Sequence, residues 1–424
     1  MTKNLFILMI SIIFTSGCVP KNAFRPHADS LCEITNEQRC IKQARTSAKS
    51  TSNKDYQLSF FEFDDQGFLH NRNNKATIIN EYKSIANTQD ILLMVFIHGW
   101  HHTANSNPED SNVVDFRDVL SHASEHTDKK VLGVYIGWRG ESVDVPVLDE
   151  INFINWATFW DRKNTAHEIG TQGLTSLMLE LEEIVKPTTN SDHTMLSIGH
   201  SFGAAALFSA IKPVLAERLI RTRDDSNGVI GFGDLVLLLN PAFEGLKYAS
   251  LFELSQNDCK SYVEQQKPRF ISLSTSADFP VGWLFPTGRR LNTLAESYRS
   301  APLTHCANGK AVAPSPLLDT KFTDRYAIGH NSLLLSHALE ATAQNGTKRL
   351  FNANTMIDKR TWDLQSGQSS IRFGGFSLEH KKITDVHSPY MNITTDASVM
   401  DGHNDIWNEK IKFFIYQTLE LINK

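Results

Sequence analysis

A chain of 424 residues is long enough for one large α/β domain with insertions, or for two domains. Its formal net charge of -5, without any run of basic residues, argues against a nucleic-acid partner held by electrostatic attraction. A hydrophobic content of 41 % and a charged content of 21 % are globular values, so a wholly disordered chain is excluded.

The first segment, residues 1–18, has the layout of a secretory signal. Lys3 supplies a positive start, residues 5–14 are almost wholly apolar and too short to span a bilayer, and residues 15–17 are small. A cysteine directly after such residues resembles the lipobox of bacterial lipoproteins, which implies cleavage before Cys18 and its acylation. The expected location is the bacterial cell envelope, lipid-anchored in the outer membrane and facing the periplasm. An ordinary signal peptide cut nearby is the alternative.

Residues 19–55 are predicted to form a polar tether, because large apolar residues are few between Asn22 and Asn53. If Cys18 is acylated, an even number of cysteines remains, which suggests disulfides in an exported protein. Proximity and layout favour one pairing without fixing it: Cys32–Cys40 and Cys259–Cys306. The cysteine spacings are wrong for a zinc site.

Residues 56–278 are predicted to form the first part of an α/β core. Short apolar runs read as strands, and amphipathic stretches between them read as helices. The predicted strands are Leu58–Phe63, Asp90–His98, Val131–Ile136, the run ending at Gly199, Asp234–Leu239 and Pro268–Leu273, and the predicted helices include Asn112–His122 and Asn164–Val185. This alternation predicts a mostly parallel, doubly wound sheet with ligand-binding residues just beyond the carboxyl ends of its strands.

The most informative stretch is Gly199-His200-Ser201-Phe202-Gly203, a G-x-S-x-G pattern between a predicted strand and a predicted helix. In a nucleophile elbow the serine adopts a strained conformation that exposes its hydroxyl, and glycines at both flanks avoid collisions. We therefore predict Ser201 as a nucleophile, against the alternative of a merely tight turn. His200 is expected to point away from it, as a packed or hydrogen-bonded neighbour.

Two other stretches lie near the predicted site. His98-Gly99-Trp100-His101-His102 ends an early strand, and three histidines suggest a metal cluster or a plain loop as alternatives to a catalytic role. No carboxylate stands at ligand spacing, so no metal is expected there. The aromatic residues within 144–160 are predicted either to line an apolar cleft or to pack under a loop: Phe153, Trp156, Phe159 and Trp160.

Residues 279–380 interrupt the alternation and are predicted to be a cap-like insertion over the site, with a helical patch near Asn331–Ala343. A solvated excursion away from the site is the alternative. Residues 381–424 are predicted to complete the core, with strand character over His380–Thr395 and a final helix over Asn408–Leu421.

A serine nucleophile needs a base to accept its proton, and a carboxylate that orients this base. Ser201, Asp278 and His403 follow the chain order of α/β hydrolases, and each lies in a predicted strand-end loop. They are the predicted catalytic residues. The alternatives that stay open are one acid and three bases: Glu244, His330, His337 and His387.

The catalytic segments together resemble a group of bacterial esterase-like hydrolases with the α/β-hydrolase fold, from about Leu92 to the C-terminus. The segments that carry the resemblance are Phe-Ile-His-Gly-Trp, Gly-His-Ser-Phe-Gly-Ala, Leu-Asn-Pro-Ala-Phe, Ser-Ala-Asp followed by Phe-Pro-Thr-Gly-Arg, and Asp-Gly-His-Asn-Asp-Ile. The resemblance implies an oxyanion hole built from the backbone N–H groups of Trp100 and Phe202.

The predicted function is a serine hydrolase that cleaves carboxylic esters through an acyl-enzyme intermediate. The alternatives are a lipase or phospholipase at the membrane surface, an amidase or peptidase, and a non-catalytic envelope module. No cofactor and no metal are implied. The expected partners are a small ester or lipid substrate and the membrane that holds the lipid anchor, while protein partners stay open.

Overall fold

The computed structural model describes residues 22–35, 40–140, 162–186, 191–342, 370–373 and 375–422. The strands of the described residues, in chain order, are β1 Cys32–Glu33, β2 Arg45–Lys49, β3 Asp55–Phe63, β4 Ile91–Ile97, β5 Lys130–Trp138, β6 Thr194–His200, β7 Leu235–Leu239, β8 Phe270–Thr275, β9 Ser300–Pro302, β10 Cys306–Ala307, β11 Lys310–Ala311, β12 Leu317–Asp319, β13 His337–Ala341, β14 Ser370–Phe373, β15 Phe376–His380 and β16 Tyr390–Thr395.

The helices alternate with these strands through most of the chain. They are α1 Arg72–Ala86, α2 Ser111–His126, α3 (residues 162–169, a π-helical turn at Gly170–Leu174, and Thr175–Ile184), α4 Phe202–Thr222, α5 Gly245–Ser255, α6 Phe285–Asn292, α7 Thr320–Arg325 and α8 Glu409–Ile422.

One sheet of twelve strands organises the molecule, in the order β1-β2-β3-β5-β4-β6-β7-β8-β16-β13-β15-β14. All neighbours from β3 to β13 pair in parallel. The antiparallel pairs lie near the two edges, where β2 joins β3 and where β15 joins β13 and β14. The predicted α/β class and mostly parallel sheet are confirmed.

The core consists of two apolar layers, one on each face of the sheet. Along β4, Leu93 and Val95 belong to one layer, whereas Met94 and Phe96 belong to the other. Every β4 residue is buried, which explains its uninterrupted apolar sequence. Because both faces are covered, polar side chains of the central strands can act only where the strands end.

The predicted polar tether is wrong for its described part, because β1 and β2 belong to the main sheet. Small side chains such as Ala44 and Ala48 are buried there without making the segment hydrophobic overall. Arg25 is also buried, and its guanidinium bonds Glu109 at 2.8 Å. The segment therefore forms the first edge of the core domain.

The predicted cap-like insertion at 279–380 is only partly right. Its first part forms α6, α7 and the small β9–β12 pair beside α5, but β13, β14 and β15 extend the main sheet. The helical patch predicted near Asn331 consists instead of 3₁₀ turns at Ile328–His330 and Ser332–Leu334, followed by β13. A boundary at 380 therefore cuts between strands of one sheet.

Both predicted disulfides form, Cys32–Cys40 and Cys259–Cys306. Across the described ranges, no helix is long and apolar enough to cross a membrane. The proposed signal, the acylated Cys18 and the aromatic residues of 144–160 lie outside the described residues.

Candidate active site

Ser201 stands at the junction of β6 and α4, with φ 54° and ψ -119°. A non-glycine residue with positive φ is strained, by about 1–3 kcal/mol, and such strain clusters at functional sites. A Cβ on Gly203 would lie 2.3 Å from the carbonyl oxygens of Ile97 and His98. A Cβ on Gly199 would lie 2.7 Å from the Cα of Ala204. The two flanking glycines are therefore required by close backbone contacts.

The structure brings Ser201, His403 and Asp278 into one hydrogen-bonded line. Nε2 of His403 lies 2.7 Å from Oγ of Ser201, and its Nδ1 lies 2.7 Å from Oδ2 of Asp278. The other carboxylate oxygen of Asp278 accepts the backbone N–H of Val281 at 2.9 Å. Ser201 and Asp278 are each 2 % exposed. In this arrangement the imidazole can accept the serine proton while the carboxylate fixes its tautomer.

Two buried side chains hold the loop that carries His403. Nδ2 of Asn240 donates to the carbonyl oxygens of Gly402 and His403 at 3.1 and 2.9 Å. Its Oδ1 accepts the N–H of Thr275 at the end of β8. Nε2 of His200 lies 3.0 Å from the same His403 carbonyl. Burial, and then the charge of His403, hold the pKa of His200 well below its ordinary value, so His200 is a neutral donor.

The positioning role of Asn240 was not predicted from the sequence. The signal that could have indicated it is the place of Asn240 directly after the end of β7. The expected role of His200 as a hydrogen-bonded neighbour agrees with the contact to the His403 carbonyl. Both side chains therefore tie two chain segments together that lie far apart in sequence.

The loop after β4 lies directly on the nucleophile, since a Cβ on Gly99 would be 2.9 Å from the Cβ of Ser201. Nδ1 of His98 donates to the Gly99 carbonyl at 2.8 Å, and its Nε2 accepts the N–H of Trp138 at 3.0 Å. Burial lowers the pKa of His98 to about 4, which keeps the ring neutral in this role. A peptide unit is planar and trans, so fixing the Gly99 carbonyl also fixes the direction of the Trp100 N–H.

The second predicted oxyanion donor is Phe202, which begins α4 directly after the serine. Its N–H belongs to a helix N-terminus, where the dipole favours negative charge. These contacts do not favour the alternative of a metal site in this loop. Both ring nitrogens of His98 are hydrogen-bonded, and Nδ1 of His102 lies 3.1 Å from a carboxylate oxygen of Asp110.

Glu244, the alternative acid, belongs to a different group of charges. Its Oε1 lies 2.5 Å from Nζ of Lys163 and 3.2 Å from Nε of Arg289. Burial raises its pKa, but Lys163, Lys247 and Arg289 together outweigh burial and hold it at about 2. Glu244 is therefore an ionised partner of cations and has no hydrogen bond to His403.

The alternative bases lie elsewhere. His330 approaches Gly282 in the segment after Asp278, and burial lowers its pKa although the charge of Asp278 opposes this. His337 bonds Ser336 within the sheet extension and packs against His380. His387 precedes the start of β16, whereas the His403 loop follows the end of that strand. Ser201 bonds to none of them, and its hydroxyl partner is His403.

Comparison with protein-family models, with curated proteins and with solved structures finds no match to this chain. The features that bear on function are therefore those of the site itself: the strained serine, its histidine and the buried carboxylate.

Proposed function

We propose that the protein is a serine hydrolase with the α/β-hydrolase fold that cleaves carboxylic esters. The observation that carries this proposal is the pair of 2.7 Å hydrogen bonds joining Ser201, His403 and Asp278. The strained elbow and the loop after β4 support it, because backbone strain clusters at functional sites and the loop lies directly against Ser201.

In the first half of the reaction, His403 Nε2 takes the hydroxyl proton as Ser201 Oγ attacks the ester carbonyl carbon. The carbonyl electron pair moves onto oxygen, where the N–H groups of Trp100 and Phe202 stabilise the charge. Asp278 stabilises the imidazolium that forms. The C–O bond to the alcohol then breaks, and His403 returns its proton to the departing alkoxide.

In the second half, a water molecule replaces the alcohol. His403 takes a proton from this water, whose oxygen attacks the acyl carbon, and the serine leaves with the proton returned by the imidazole. The products are the carboxylic acid and the regenerated enzyme. No cofactor is needed in this scheme.

A lipid ester is the second candidate substrate, because exposed apolar side chains follow Asp278 directly. Phe279 is 64 % and Trp283 58 % exposed, their rings stack at 5.6 Å, and Leu294 beyond α6 is 76 % exposed. Contiguous exposed apolar groups mark interaction surfaces. If Cys18 is acylated, this surface would contact the outer membrane that anchors the protein, and the substrate would be a lipid ester of that membrane.

The test is hydrolysis of p-nitrophenyl esters, from acetate to laurate, by the full chain and by Ser201→Ala. We expect the variant to lose about 10⁴-fold or more of kcat, since removing the nucleophile removes the chemistry as a unit. Ser209→Ala is the matched control, because Ser209 also bonds a histidine, His167, at 2.7 Å. Wild-type turnover in Ser201→Ala would refute the proposal, and rising kcat/KM with acyl length would favour lipids over short esters.

A further inference from the structure

A second chemically unusual cluster lies at the C-terminal end of α2, in the sequence His122-Ala-Ser-Glu125-His126. Positions separated by three and four residues share one helix face. His122, Glu125 and His126 each offer one ligand atom, and these atoms all lie within 4.8 Å of one another. Among the described residues, this is the group of histidines and acids that meets the geometry for holding a metal ion.

The side chains are oriented by contacts of their own. Nδ1 of His126 donates to the carbonyl of His122 at 2.9 Å, which leaves Nε2 as the nitrogen with a lone pair. The His122 ring stacks between His126 and Tyr416, with centroids 4.1 and 3.8 Å away. Oε1 of Glu125 accepts the hydroxyl of Thr51 at 2.5 Å. The bonds of His126 and Glu125 are outer contacts of the kind that orient ligands around metals in proteins. One of the two imidazoles turns out of the stack to share an ion with the other, because each nitrogen lone pair lies in its ring plane.

A cavity of about 380 Å³ adjoins the two histidines and Glu125. Carboxylates dominate its charged lining, with Lys412 as the basic side chain: Asp118, Glu125, Glu409 and Glu420. The ammonium of Lys412 is already paired, at 3.7 Å from Asp118 and 3.6 Å from Asp115. The remaining negative charge favours a cation at this position.

We propose that His122, Glu125 and His126 bind a divalent transition metal of the zinc class. Two imidazole nitrogens and one carboxylate oxygen are ligands that zinc accepts, whereas magnesium and calcium prefer oxygen alone. Three protein ligands leave a further coordination position on a tetrahedral zinc ion, beside a cavity that all three residues line. A water molecule or a small anionic ligand would fill it.

This site is separate from the proposed active site. Leu92 and Thr194, near the starts of β4 and β6, also line the cavity, whereas Ser201 follows the end of β6. Seven residues of strand place the two sites roughly 20 Å apart at about 3.3 Å per residue. Because Glu125 also bonds the turn between β2 and β3, metal binding would stabilise the edge of the sheet.

The test is calorimetric titration of zinc chloride into the full chain, produced without a histidine tag and freed of metal by a chelator. We expect the wild-type chain to bind one zinc ion at this cluster. The affinity for zinc should fall about 100-fold in His126→Ala, since the loss of even an outer contact costs 10–100-fold in metal affinity. His126 is exposed, so this variant should keep its fold; His122→Ala should behave alike. His70→Ala is the control, because His70 is exposed in a loop away from the cluster.

Two further readouts keep the answer unambiguous. Zinc should raise the unfolding temperature of the wild-type chain but not that of His126→Ala. Magnesium should not displace zinc from the wild-type chain. Absence of zinc binding to the wild-type chain would overturn the proposal without any variant. Unchanged affinity in a folded His126→Ala chain, or displacement by magnesium at equal concentration, would overturn it as well.

Discussion

A serine, a histidine and a buried carboxylate meet at Ser201, and a second serine, histidine and carboxylate, here a glutamate, lie around Ser209. His167 bonds Ser209 at 2.7 Å, but its other ring nitrogen is 4.0 Å from Glu244. In the first group His403 has 2.7 Å contacts on both sides. Residue types alone therefore do not define a catalytic group, because the distances between the side chains differ.

The backbone and the charges separate the two groups further. Ser201 has the strained elbow conformation, whereas Ser209 lies inside the regular helix α4. Burial, followed by the charge of Lys163, lowers the pKa of His167 to about 3, so this ring resists becoming an imidazolium. We interpret the Ser209 group as structural and the Ser201 group as catalytic.

The largest difference should come from removing one charge in each group. Asp278→Asn should lower kcat for a p-nitrophenyl ester by about 10⁴-fold, since the amide favours the wrong tautomer of the histidine. Glu244→Gln, assayed on the folded fraction, should keep kcat within a few-fold. Equal losses in both variants would contradict the comparison.

Stability should respond in the opposite order. Glu244→Gln removes the carboxylate that buried Lys163 contacts at 2.5 Å, whereas Arg289 keeps its contact with Asp324 at 2.6 Å. Breaking a buried ion pair costs about 3–5 kcal/mol. Urea unfolding followed by circular dichroism measures this cost. A loss of unfolding free energy below about 1 kcal/mol would contradict a structural role for the ion pairs of Glu244.

A smaller effect is expected from the ring that fixes the oxyanion loop. His98→Phe keeps a buried ring but removes both hydrogen bonds, so the Trp100 N–H should turn away from its required direction. We expect kcat to fall about 10²-fold with little change in KM. His70→Ala should leave both constants unchanged, and a rise in KM alone would point to substrate binding instead.

The smallest effect is the acid dependence of stability. The pKa of Glu244 is about 2 in the fold and 4.5 ordinarily, so its ionised form stabilises the protein above pH 4.5 and that contribution is lost as pH falls towards 2. The urea midpoint should therefore decline in this range, and decline less steeply in Glu244→Gln. Parallel pH profiles would contradict the assignment.

The sequence predicted the central strands and the strand-end positions of Ser201, Asp278 and His403, because buried parallel strands are mostly apolar and end at polar loops. It failed at β2, whose buried positions are small residues such as Ala44 and Ala48 rather than large apolar ones. The bonds from Asn240 to the His403 loop span more than 160 residues of sequence, and no local pattern encodes them.

The same limit applies to β13, β14 and β15. Short strands such as Phe376–His380 alternate buried and exposed residues and carry no signal for the edge they join. Pairing with β16 and β13 is a property of the assembled sheet, not of these segments.

Whether Ser201 is an activated nucleophile can be measured by labelling the full chain with a fluorophosphonate, followed by mass spectrometry of the intact protein and its peptides. We expect one adduct per chain, on Ser201, which is absent in Ser201→Ala and retained in Ser209→Ala. A folded wild-type chain that takes up no label, or an adduct that persists in Ser201→Ala, would contradict it.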